Sequence, residues 1–199
     1  MTMPQGEPTG RPPVHVLLDV GQAATDLQHL VMMDRMWTEV GDQSAGVDDR
    51  GRETLLAVGN RIYDGLGVAE RHVLALQAVF AAHGPWVDGQ LARQFSADVL
   101  APEHVATVER AIAVTDGHYA ERGLALCASV LERLPAERDD IRAKTSPLRG
   151  GGPVATDISD ETACAVLALG TMGSTLLCPE TGISCVGAVA GFVLLATLC

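Results

Sequence analysis

Apolar side chains recur along most of this chain at intervals of three and four residues, the spacing that gathers them on one face of a helix. Leu27, Leu30, Val31, Met33, Trp37 and Val40 form the first such stripe, and Thr25 with Gln28 three residues on reads as the capping box that opens it. Upstream, the run Val14–Val20 is either a short strand or a lead-in to that helix, because period alone does not separate the two. Gly41–Gly51 is polar and rich in Gly and Asp, a loop. From Glu53 to His83 the period is again helical, carried by Leu55, Leu56, Val58, Ile62 and Tyr63, then by Val73, Leu76, Val79 and Phe80. Gly65 and Gly67 divide it into two helices in this reading, each glycine costing up to about 1 kcal/mol inside one. Gly84-Pro85 reads as a stop, Pro102 as a first-turn residue, and Val105, Val108, Ile112 and Val114 as the next stripe. Gly123 precedes a short helix, Leu124–Leu134, closed by Pro135, after which Arg138–Lys144 is charged and expected to lie in solvent.

The fold class that follows is mainly α: a small helical bundle with a flexible N-terminal arm and an apolar, Cys/Ser/Thr-rich C-terminal tail. The arm is residues 1–13, with four prolines and two glycines, and it lacks the basic start and apolar run of a secretory signal. The helical domain spans 14–145, a Gly/Pro linker 146–160, and the tail 161–199. A length of 199 residues suits one ordinary domain. Hydrophobic residues make up 47% and aromatics only 4%, so the core is built from Ala, Val and Leu, which favours packed helices.

The net charge is −11. Affinity for phosphates comes from excess cations, so nucleic acid is not an expected partner. The charge is also unevenly placed. All 14 Lys and Arg and all 6 His precede residue 150, and from Thr162 onward the one charged side chain is Glu180. Four of the five Cys (Cys164, Cys178, Cys185, Cys199) fall in that same stretch.

The helical domain offers little chemistry. It has no phosphate loop, zinc motif, calcium loop or nucleophile elbow, so no enzyme, cofactor or metal is expected. Cys127 is taken as a buried hydrophobe and His118 as a surface turn residue, rather than a nucleophile and its base. His72 and His83 lie too far apart on one helix to share a metal, and Trp37 and Trp86 are core anchors.

The chemistry is in the linker and tail. Ser146-Pro147-Leu148-Arg149-Gly150-Gly151-Gly152-Pro153 is extended by composition and fits a narrow protease cleft, with a cut at Gly151 or Gly152. The tail carries seven hydroxyl residues among its four Cys, each Cys having a Ser or Thr two to four places upstream. The segment Ser174-Thr175-Leu176-Leu177-Cys178-Pro179-Glu180-Thr181-Gly182-Ile183-Ser184-Cys185 resembles the ring region of mersacidin- and lichenicidin-like lanthipeptide precursors. The Gly150-Gly151 pair is similar to the double-glycine site of their leaders. The resemblance runs from Gly152 onward.

It implies that Thr162, Ser174, Thr175, Thr181, Ser184 and Thr197 are candidates for dehydration, and that Cys164, Cys178, Cys185 and Cys199 add to the resulting alkenes as thioethers. The implied partners are a dehydratase/cyclase and a peptidase-transporter. The precursor would be cytoplasmic, and the product secreted to act on a membrane or a cell-wall precursor.

Two other readings fit the same residues. Ala163–Leu177 and Cys185–Cys199 could form a membrane hairpin around Cys178–Ser184, with Gly187 and Gly191 on a small-residue packing face. Fifteen helical residues reach only about 22 Å, however, against a hydrocarbon core near 30 Å. Alternatively the tail is a hairpin buried in an all-α interaction domain, its thiols ordinary core residues.

Overall fold

The computed structural model describes residues 10–42, 48–95, 106, 117–145, 158–181, 191 and 199, with backbone alone at 40–42, 144–145 and 178–181. These residues form an all-α bundle of four long helices, with no strand among them. In chain order they are α1 (Val14–Asp42), α2 (Asp49–Gln94), α3 (Tyr119–Thr145) and α4 (Asp160–Thr181). The expected helix from Pro102 and the 146–157 part of the linker lie outside the described residues.

The helices are longer than the punctuation of the sequence suggests, and the reason is burial. Val14–Val20 is the first part of α1, so Thr25 and Gln28 are not a cap: Thr25 sits mid-helix, its hydroxyl donating to the Gly21 carbonyl at 2.9 Å. The start lies at Pro12-Pro13, where the Leu17 N–H donates to the Pro13 carbonyl. The end of the arm is accordingly docked: Pro12 is buried, and His83 Nδ1 lies 2.7 Å from the Gly10 carbonyl oxygen.

Asp48 opens α2, accepting the Gly51 N–H at 2.9 Å, as an N-cap carboxylate does. Gly65 does not break this helix. A Cβ there would stand 2.8 Å from Leu30 Cδ1, so the glycine serves the close approach of α1. Pro85 bends α2 rather than stopping it: the backbone leaves helical values at His83, and the second limb runs to Gln94. That limb buries Val87, Leu91 and Phe95, whose ring meets Tyr119 at 5.5 Å between centroids.

Likewise α3 passes through Pro135 to Thr145, because Leu134 before it and Ile141 after it are both buried. Arg138, expected in solvent, is half-buried with its guanidinium 4.9 Å from the Tyr63 ring centroid. Cys127 is buried, as expected, and so is Trp37, whereas Trp86 is only partly so.

The largest departure concerns α4. The first half of the apolar tail is not a separate appendage but the centre of the bundle, packed most extensively on α1 and also on α3 and α2. From Thr162 to Leu177 every residue but Cys164 is buried. A helix apolar on all faces must be covered on all faces, and the other three helices supply the cover. Close approach is made by small residues: a Cβ on Gly173 would stand 2.8 Å from Ala24 Cβ and 2.9 Å from Leu76 Cδ2.

Candidate functional site

The distinctive region of the molecule is the entry of the chain into α4, where the linker ends and the tail begins. Ser159-Asp160-Glu161-Thr162 is a helix-start sequence, a hydroxyl cap followed by acidic residues in the first turn. Residues 158–160, assigned to the linker by composition, therefore belong to the bundle. The Ser159 carbonyl accepts the Ala163 N–H at 2.8 Å, and its hydroxyl lies 3.4 Å from the Thr162 nitrogen.

Two buried carboxylates from the sheathing helices grip this start. Asp34 of α1, fully buried, accepts the Ile158 N–H at 3.1 Å. Glu137 of α3 accepts three donors: the Ser159 N–H at 3.2 Å, the Thr162 hydroxyl at 2.8 Å, and the Ser159 hydroxyl. Outside them, Arg35 pairs with Asp160 at 2.6 Å and Arg133 with Glu161. Both acidic partners are largely in solvent, so these outer pairs add little to stability. A buried donor left without an acceptor is costly, so the inner carboxylates fix the register of α4 in its sheath.

The tail is also closed on itself. Cys164 and Cys199 form a disulfide with Cα atoms 5.8 Å apart, across a sequence separation of 35. The lanthipeptide resemblance makes both of them thioether cysteines. A sulfur held in a disulfide is not available for addition to an alkene, so in this state neither can fill that role. Cys164 borders a cleft of about 330 Å³ between α3 and α4, with Arg122, Ser129, Arg133 and Glu161 around it. The side chain of Cys178 and all of Cys185 lie outside the described residues.

The dehydration candidates fall in two groups. Thr162, Ser174 and Thr175 are buried within the bundle, beside Thr171. The Thr171 and Thr175 hydroxyls donate to carbonyls one turn back, at 2.8 and 2.7 Å. The Ser174 hydroxyl is buried without a partner among the described residues. The side chain of Thr181, all of Ser184 and Thr197, and the cleavage candidates Gly151 and Gly152 lie outside the described residues. Gly191, from the far end of the tail, is buried against α4: a Cβ there would stand 2.3 Å from Thr171 Oγ1 and 2.7 Å from Gln28 Nε2. Of the Gly187–Gly191 packing face, Gly191 is in close contact inside the bundle, and Gly187 lies outside the described residues. No described helix is long and apolar enough to cross a membrane.

Cys127, the free thiol of α3, is walled off from this chemistry. Burial pushes its pKa up from 9.0 to about 12, a backbone hydrogen bond opposing the shift only in part. The reactive thiolate is therefore withheld. Iodoacetamide at pH 8 is expected to leave Cys127 unmodified in the folded protein and to alkylate it in denaturant. The fold's preference for the protonated thiol holds below pH 9 and is lost as pH rises towards 12. Modification of the native protein at pH 8, mapped to Cys127 by peptide mass, would contradict this.

Sequence reasoning missed the Asp34–Glu137 grip and the Cys164–Cys199 pair. The Ser159 start was open to it, since the cap signature is local. Compared with family models, with curated proteins and with solved structures, the chain matches none.

Proposed function

We propose that the chain is a peptide precursor: α1, α2 and α3 are a carrier that sheathes the apolar tail, and cutting in the segment before Ile158 frees that tail as the product. The observation that carries this reading is the Cys164–Cys199 bond. Both of its ends lie in the tail, so the tail is a covalently closed unit. Among the described residues no covalent bond besides the main chain joins it to the carrier. The sheath supports the reading too, since a segment apolar on every face stays in water only under cover.

The lanthipeptide-like form of the proposal keeps its partners, a dehydratase/cyclase and a peptidase-transporter, and a secreted product acting on a membrane or cell-wall precursor. It carries a condition. Thr162, Ser174 and Thr175 are buried in the folded bundle, so the modifying enzyme must act before the sheath closes or by opening it. The disulfide-closed form needs no dehydratase. It needs an oxidising compartment, which the whole chain would have to reach, because the bond is closed with the tail still in its sheath.

A permanently folded all-α interaction domain has its own supporting observation, the buried grip of Asp34 and Glu137 on the start of α4. Intact-mass analysis of the protein from its native cell separates the readings. A precursor yields a species that starts between residues 146 and 158 and includes Cys199, free of the carrier. Such a species is lighter by one water per reacted hydroxyl if thioethers form, or by two hydrogens per disulfide if they do not. Recovery of the full chain alone, secreted fraction included, overturns the precursor reading.

A further inference from the structure

A second site lies away from the tail, on the seam between α1 and α2, and is independent of the precursor reading. Three of the six methionines of the chain, Met32, Met33 and Met36, fall within five residues of α1. Only Met33 falls on the apolar stripe of α1, and it is half-buried, while Met32 is 41% and Met36 63% exposed. All three residues line one cleft of about 450 Å³, together with His29 of α1 and His72 of α2. Residues 29, 32, 33 and 36 stand one and two turns apart on the same face, and small residues of α2, Gly65 and Ala69, line the opposite wall.

His72 lies beside a carboxylate, its Nε2 buried and without a hydrogen-bond partner among the described residues. Its Nε2 lies 3.1 Å from the Asp26 carboxylate, and Asp26 is itself fixed by a hydrogen bond from Gln22 at 2.8 Å.

The donor set decides which ion fits. Among the described residues, imidazole, thiol and carboxylate donors alone assemble no group of three able to hold a metal. Zinc and the hard divalent cations therefore lack a ligand set here. What completes the cleft is neutral thioether sulfur, a soft donor that selects soft monovalent ions. We propose that this cleft is a binding site for a soft monovalent cation, Cu(I) or its surrogate Ag(I), ligated by thioethers of Met32, Met33 and Met36 with an imidazole of His29 or His72.

The test uses the full chain with its accessible thiols alkylated, since free cysteines would compete for the same ions. Ag(I) is titrated against protein carrying carbon-13 methionine methyl groups. The methyls of Met32, Met33 and Met36 are expected to shift together and to saturate at one ion per chain, while that of the buried Met172 stays in place. Cu(I) should be retained against a colorimetric Cu(I) chelator at the same stoichiometry, and Zn(II) should not be retained. The triple variant Met32→Leu/Met33→Leu/Met36→Leu conserves volume and should lose the bound equivalent. Should it fail to fold, Met36→Leu, at the most exposed position, is expected to weaken retention on its own. Unshifted methyls in the α1 cluster, retention of Cu(I) undiminished in the folded variants, or equal retention of Zn(II) would each overturn the proposal.

Discussion

Cys199→Ser, or reduction of the wild-type protein, is expected to cost the bundle roughly 4 kcal/mol of stability. The Cys164–Cys199 bond closes a loop across a separation of 35 residues. In the chain-entropy account, a cross-link over a loop of that size removes roughly 4 kcal/mol of freedom from the unfolded ensemble. A domain of this size is stable by only about 5–15 kcal/mol in all. Cys199 is the better position to change, because it is exposed whereas Cys164 lies at the packed surface of α4. Urea unfolding followed by far-ultraviolet circular dichroism, with and without reductant, gives the difference directly. Midpoints that coincide would mean that the bond contributes nothing to the fold. The same measurement bears on the chemistry of the tail, because a thioether is indifferent to a reductant that opens a disulfide.

Glu137→Leu should cost roughly 3 kcal/mol, because three donors at the start of α4 lose their acceptor at once. Leucine accepts no hydrogen bond, so the Ser159 N–H loses its acceptor and the Ser159 and Thr162 hydroxyls keep only their bond to each other. Glu137→Gln keeps a carbonyl oxygen and should cost about 1 kcal/mol, the scale of a single neutral hydrogen bond. The effect should also be local. Amide exchange over residues 158–165 should accelerate more than in the middle of α2, since the grip acts on the entry of the tail. A Glu137→Leu protein that melts with the wild type would show that α4 is held by its apolar surface alone. The grip would then be incidental to any release of the tail.

The pattern of apolar residues carried much of this architecture. Leu55, Ile62, Val73, Leu76 and Val79 lie on the buried face of α2 where their spacing placed them, and Cys127 is in the core. The start of α2 at Asp48 falls in the polar stretch read as a loop. Punctuation misled where tertiary burial outweighed it. A glycine costs up to about 1 kcal/mol and a proline about 3 kcal/mol inside a helix. Each large apolar side chain buried returns about 1.5–3 kcal/mol. Continuing α2 past Pro85 buries Val87 and Leu91, and continuing α3 past Pro135 buries Ile141, so both helices bend or run on instead of ending. Gly65 lies where a helix break was expected, yet its missing side chain makes room for Leu30 on a different helix. No local rule contains that fact.

By itself, then, the sequence determined that this protein is helical, that its charge stops near residue 162, and that the stretch beyond must be covered by something. It could not say by what. A segment without polar faces is equally suited to lipid, to a partner or to a core, because the hydrophobic effect has no direction. Tertiary structure decided that residues 162–177 lie at the centre of the bundle. It also decided that Asp34 and Glu137, 124 and 22 residues from the groups they accept, hold the entry, and that the last residue is tied back to Cys164. Those contacts join positions far apart in the chain, and the periodicity of neighbours holds no record of them.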